Sequence, residues 1–180
     1  MSVDVVFETH SLTVDNETGR ATGWLDGSLS STGRALAAEL GERRRDDGIA
    51  AVYTSDLGRA VETAQIAFRG SALPILRDRR LRECNYGSMN GLPRAELDAL
   101  VTGLDERYPG GETWREALER VFGFVAQLVG SRDGERVLVI GHMSGWYALE
   151  SLARGVSLEE AFATPMQWQE GWSYVLPRIG

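Results

Sequence analysis

The stretch VDVVFETHS, Val3 to Ser11, is an apolar, β-branched run that ends in a histidine, His10. Its length and its Val and Phe content are those of a buried strand. His10 is one of two histidines in the chain, and the other, His142, closes a second run of the same kind, RVLVIGHM from Arg136 to Met143. Each run delivers its histidine at its C-terminal end, the edge at which open α/β sheets bind ligands. Either histidine alone reads as a satisfied residue at a strand end. The pair, in the same local setting, marks a candidate site.

A chain of 180 residues with 43% hydrophobic content supports one well-buried domain, residues 1–180, and is short for two. The 26 acidic against 19 basic residues give a net charge of −7. That sign opposes binding to a polyanion, so no nucleic-acid partner is expected. The single cysteine, Cys84, excludes an intrachain disulfide. Without a signal pattern or an apolar run of about 18 residues, a soluble, cytoplasmic protein with no membrane partner is expected. The two histidines stand far apart with no His-x-x-x-His or Cys pattern, so neither a metal nor a cofactor is predicted.

Between the two histidine strands, residues 12–29 lack a sustained period and read as a long loop carrying Asn16 and Trp24. Apolar residues among Glu and Arg predict a helix from Ser31 to Arg45, capped by Ser30 or Ser31, and then a strand from Ile49 to Thr54. A helix from Asp56 to Phe68 follows, with Ser55 or Asp56 as cap. It places Arg59 in the first turn, where the helix dipole disfavours a cation by a few tenths of a kcal/mol. Either an anionic ligand or a salt bridge to Asp56 or Glu62 would offset that. Further on, the sequence predicts a strand at Leu73–Leu76, helices at Pro93–Val101 and Thr113–Val129 with Phe122 on the buried side, and a helix at Ser144–Ala153. The amides at the start of that last helix would face an anion held near His142. A final strand is expected over Trp168–Leu176. Strands alternating with helices give a three-layer α/β/α sandwich with a mostly parallel central sheet. If the first and fourth strands are neighbours, His10 and His142 meet over one pocket. A pocket of histidines, an arginine and free amides suits an anion, and phosphate above all.

Four blocks then carry a resemblance to the histidine phosphatase superfamily, the phosphoglycerate mutase-like fold, that covers nearly the whole chain. The first is His10 with Thr13 and Asn16, Gly23-Trp24-Leu25-Asp26, Leu29 and Gly33-Arg34-Ala35. The second is Tyr53-Thr54-Ser55-Asp56-Leu57-Gly58-Arg59-Ala60 with Thr63-Ala64. The third is Leu81-Arg82-Glu83, Tyr86-Gly87 and Asn90-Gly91, and the fourth is Val139-Ile140-Gly141-His142. The resemblance implies a phosphohistidine mechanism. His10 matches the nucleophile, Arg59 the arginine that binds phosphate oxygens, His142 the second histidine and Glu83 the general acid. Asn16 looks like a first-loop phosphate contact, and Thr9, Asn16, Trp24, Tyr86 and Met143 are the candidate substrate- and phosphate-binding residues.

The first block departs from the family where Arg-His-Gly is replaced by Thr9-His10-Ser11, so that one of two phosphate-clamping arginines is missing. Three readings follow. The preferred one is a phosphomonoesterase acting on a small-molecule phosphate monoester, in which Thr9 with backbone amides, or Arg20 or Arg82, replaces the lost contact. A phosphoglycerate mutase is the second, for which the chain is short. The third is a non-catalytic descendant that binds an anion or a partner. The aromatic C-terminal strand leaves a homodimer open.

Overall fold

The structure, a computed structural model, describes residues 2–100 and 103–177. Strand β1 covers Ser2–Thr9, and β4 covers Arg136–Gly141. The two pair in parallel from Asp4 opposite Arg136 to Thr9 opposite Gly141. Strands β2 (Ala51–Thr54) and β3 (Ile75–Arg77) extend the sheet on one side and β5 (Trp172–Pro177) on the other. The order is β3-β2-β4-β1-β5, parallel except for β5, which runs antiparallel to β1. This is the expected α/β sandwich, with the two histidine strands adjacent.

Strand alternation assigns the two layers. Val6 of β1 with Leu138 and Ile140 of β4 packs against Leu40, Ala64 and Phe68, from helices α2 (Ser31–Arg44) and α3 (Gly58–Ala67) and the residue that ends α3. Val3, Val5 and Phe7 with Val137 and Val139 face the other way. They meet α5 (Trp114–Ser131) and α6 (Met143–Arg154). Helix α5 opens on a capping box between Thr113 and Glu116. Its buried stripe is Val121, Phe124, Val125 and Leu128, while Phe122 is only half-buried. The helical period, continued from Val121, selects Phe124, which sets its ring edge-on to Tyr53 at 5.4 Å between centroids.

Several boundaries differ from expectation. The stretch 12–29 contains a short helix, α1 (Val14–Glu17), where Thr13 and Asn16 cap each other. Pro74 has no N–H for the ladder, so β3 begins at Ile75, while the Pro74 carbonyl accepts from Val52. Helix α3 begins at Gly58 after Leu57, with no side-chain cap, because the Ser55 hydroxyl and the Asp56 carboxylate are engaged elsewhere. The last strand starts at Trp172, after Gly171 turns the chain at φ +84°, so Trp168 lies outside it. Helix α4 covers Arg94–Leu100, and the expected end at Val101 lies outside the described residues. Helix α7 (Leu158–Ala163) has no counterpart in the sequence reading. Among the described residues no helix is long and apolar enough to cross a membrane.

The turn after His10 is seated on α2. A Cβ at Gly33 would stand 1.8 Å from the Leu12 carbonyl oxygen. The Ser11 hydroxyl donates to the Gly33 carbonyl at 2.6 Å, and the Ser30 amide donates to the Leu12 carbonyl at 3.0 Å. Gly33→Ala therefore pushes the histidine loop off the helix and should lower unfolding free energy by about 1–3 kcal/mol in denaturant titration. Gly123, inside α5 with nothing near its Cβ position, gives the opposite sign, a gain of about 0.5–1 kcal/mol for Gly123→Ala. Equal effects at the two glycines would contradict this packing.

Candidate active site

The Thr9–Gly141 register brings the residues after β1 and β4 together, and the His10 amide donates to the Gly141 carbonyl at 2.9 Å. The rings of His10 and His142 lie 5.1 Å apart between centroids. Arg59, in the first turn of α3, reaches both. Its Nε donates to His10 Nε2 at 3.2 Å, and its Nη2 lies 3.3 Å from His142 Nδ1. The remaining guanidinium hydrogens go to backbone carbonyls, Nη1 to Leu25 at 2.8 Å and Nη2 to Gly23 at 2.8 Å. Arg59 is 2% exposed. The salt bridges to Asp56 or Glu62 that the sequence allowed do not form. Asp56 pairs with Arg82, and Glu62 pairs with Arg34.

These partners assign the imidazole tautomers. His10 Nδ1 faces the Ser11 carbonyl at 2.8 Å and carries the proton, which leaves the Nε2 lone pair toward Arg59. His142 Nδ1 accepts from Arg59, so its Nε2 donates to the Ser55 hydroxyl at 2.7 Å. Burial, and then the nearby Arg59 charge, pull His10 down to about 3 against a weaker upward effect of the Ser11 carbonyl. His142 lies well below the ordinary histidine value for the same two causes in the same order, with His10 adding to them. Both rings are neutral near pH 7.

Glu83 sits at the start of α6, buried. Its Oε1 accepts from the Cys84 amide at 2.9 Å and the Ser144 amide at 3.3 Å, and Oε2 accepts from Met143 at 3.2 Å. The amides expected to face a bound anion thus hold the Glu83 side-chain oxygens instead. Trp24 donates its indole N–H to the Glu83 carbonyl at 2.6 Å, and Arg120 donates to the same oxygen at 2.8 Å.

A cavity of about 800 Å³ opens over these groups, and it is lined by His10, Arg59, Glu83 and His142 together with Thr9, Asn16, Tyr86 and Met143. Asn16 presents its side chain there with its carbonyl oxygen held by the Thr13 amide and hydroxyl. Trp24 does not line the cavity. It lies beneath the Arg82 guanidinium at 4.6 Å and positions Glu83 through the indole bond. Ser144 and Trp146 are buried outside the lining, and the Asn90 side chain accepts from the Trp24 and Tyr86 amides. Of the arginines offered in place of the one absent at Thr9, Arg82 is bound to Asp56 away from the cavity, whereas Arg20 lines it, as do Arg43 and Arg94.

Sequence reasoning missed Ser55, which orients His142, and Thr63, whose hydroxyl bonds the Arg59 carbonyl and accepts from the Ser11 amide. It also missed Arg120. A buried hydroxyl one helical turn after Arg59 was the available signal for Thr63.

Chemically, the Arg59 edge made of Nε and Nη2 matches the bidentate fork that binds two oxygens of a phosphoryl group. The bonds on that edge, to the imidazoles, are longer than the 2.8 Å bonds to the Leu25 and Gly23 carbonyls that anchor the side chain, and Nη1 also meets the Asp26 carbonyl at 3.5 Å.

Comparison with known proteins gives the same direction. The chain matches the histidine phosphatase superfamily (branch 1) over residues 6–174. It is 33% identical over 152 residues to a probable phosphoglycerate mutase, GpmB, of Salmonella paratyphi B, covering 78% of this chain and 69% of that protein. Among solved structures it is similar to YhfR of Bacillus stearothermophilus, with a TM-score of 0.82, 28% identity, and 93% and 88% of the two chains covered. It is also similar to a mycobacterial glucosyl-3-phosphoglycerate phosphatase, with a TM-score of 0.77, 27% identity, and coverage of 90% and 84%. A family match over residues 6–174, on this fold, means that the chain belongs to branch 1 of the histidine phosphatase superfamily.

Proposed function

We propose that the protein is a metal-independent phosphomonoesterase that passes the phosphoryl group through His10. The observation that carries this reading is the bare Nε2 of His10, aimed at the Arg59 edge that suits a phosphoryl group. On binding, the two exchangeable Arg59 donors turn from the imidazoles to phosphate oxygens, which frees the His10 lone pair. His10 Nε2 then forms a bond to phosphorus as the bond to the ester oxygen breaks, and that oxygen takes a proton from the Glu83 carboxyl. Water next attacks phosphorus, gives its proton to the Glu83 carboxylate and displaces Nε2, releasing phosphate. His142, held by Ser55, takes up a solvent proton on Nδ1 as the dianion arrives, donates it in a hydrogen bond to the transferring group and returns it to solvent when phosphate leaves. Thr9 and Asn16 complete the wall around the phosphoryl group.

Relatives support this class without narrowing the substrate, since one is named a phosphatase and another a probable mutase. The mutase reading differs only in the acceptor, a substrate hydroxyl in place of water. Release of inorganic phosphate from a panel of monoesters, against isomerisation of a phosphoglycerate, separates the two.

Glu83→Gln should lower kcat/KM, which reports the step that expels the leaving group and not the later attack of water, less than about tenfold for p-nitrophenyl phosphate and by about 10²–10⁴ for simple alkyl phosphates. An equal loss of kcat/KM for both would contradict the acid role. For the imidazoles, the chain's two histidines can be followed by nitrogen-15 NMR. Without ligand, neither should titrate between about pH 8 and about pH 5, and a midpoint near the ordinary histidine value would contradict the assignment. The sign for stability follows. Unfolded histidine binds its proton near pH 6.5 and folded His10 only near 3, so this contribution is fully present above about 6.5 and is lost as pH falls toward 3.

A further inference from the structure

We infer that the wall of the cavity along α2 is a subsite for a cationic group, so that the substrates are phosphate monoesters of amino alcohols; this rests on the phosphomonoesterase reading. The cavity is electrically divided. On the side of Gly19–Gly23 and Tyr86 it carries Arg20 and Arg94. On the α2 side it is lined by Glu8, Glu39, Arg43, Met166, Trp168 and Glu170.

Glu8 is 4% exposed, an unusual place for a carboxylate. Its Oε1 takes all its bonds, from Arg44 Nη2 at 2.7 Å, Arg44 Nε at 2.9 Å and Arg43 Nη2 at 3.2 Å. Oε2 accepts no hydrogen bond among the described residues. Arg44 also serves Asp47 at 3.0 Å, and Arg43 lies 3.9 Å from Glu170. Arg43, the guanidinium on this wall, and Arg44 beside it are thus matched by carboxylates, and Glu39 adds a further negative charge to the lining. Trp168 lines the same wall while 66% exposed, which leaves an indole face free for an organic cation. Thr9 lines the same cavity, where a guanidinium in its place would have repelled such a cation. Glu8 and His10, with Thr9 between them in the chain, line the same cavity, so a phosphoryl group at His10 and a cation on this wall would share one enclosure.

The test compares kcat/KM for phosphorylethanolamine and phosphorylcholine with n-propyl phosphate and phosphoglycolate. The ammonium esters should exceed the neutral ester by about tenfold, with phosphoglycolate the poorest. Added salt should shrink the ratio. Trp168→Ala and Glu39→Gln, both at exposed positions, should each bring the ratio toward one. Equal or better turnover of the neutral or anionic ester, or a preference that survives both substitutions, overturns the subsite. If no ester, p-nitrophenyl phosphate included, is hydrolysed, the phosphomonoesterase reading fails by itself. Calorimetric binding of phosphorylcholine against n-propyl phosphate then decides the subsite, with tighter binding of the former supporting it and equal binding overturning it.

Discussion

The site depends on one buried cation. A guanidinium removed from water is tolerated only when its hydrogens find partners, and Arg59 finds them in two kinds of group. The carbonyls of Gly23 and Leu25 hold it from the loop after α1, and the two imidazoles hold it from the ends of β1 and β4. The same contacts therefore fold the loop, orient the rings and fix which nitrogen of each ring is bare. They also explain why the rings stay neutral, since burial and the Arg59 charge act on both in the same direction. A neutral nucleophile at the cavity wall is held ready for an anion that Arg59 itself attracts.

A second set of bonds ties Glu83 to this arrangement. The first turn of α6 gives two amides to its carboxylate, while Trp24 and Arg120 bind its carbonyl. Trp24 belongs to the loop that Arg59 holds, and Arg120 lies on α5, so a loop and the α5/α6 layer together position one acid. Segments far apart in the sequence thus form one connected network. Disturbing the loop should be felt at Glu83 as well as at Arg59.

The strands with His10 and His142 were legible because each is an unbroken β-branched run, and their adjacency makes the site. Arg59 was legible as an anomaly, a cation at a helix start, although the partners proposed for it there were wrong. Asp56 and Glu62 go to other arginines across the fold. What could not be read from the chain depends on tertiary geometry. The carbonyls around Arg59 carry no side-chain signature, and Trp24 looks like a wall until its indole is seen to bond Glu83. The role expected of the α6 amides failed for the same reason, because no local pattern shows that Glu83 reaches them first. Phe122 and Trp168 mark where pattern alone misplaced a face and a strand edge. A phase error along α5 and the Gly171 turn account for these two.

The central claim is that this arrangement exposes one nitrogen, Nε2 of His10, for covalent phosphoryl transfer. Rapid acid-sparing quench of the enzyme during turnover of p-nitrophenyl phosphate, followed by peptide mass spectrometry, tests it most directly. The account predicts a phosphoryl group on His10, attached through Nε2, that forms and decays at catalytically competent rates. Phosphate release with no covalent adduct, or an adduct on another residue, would contradict it.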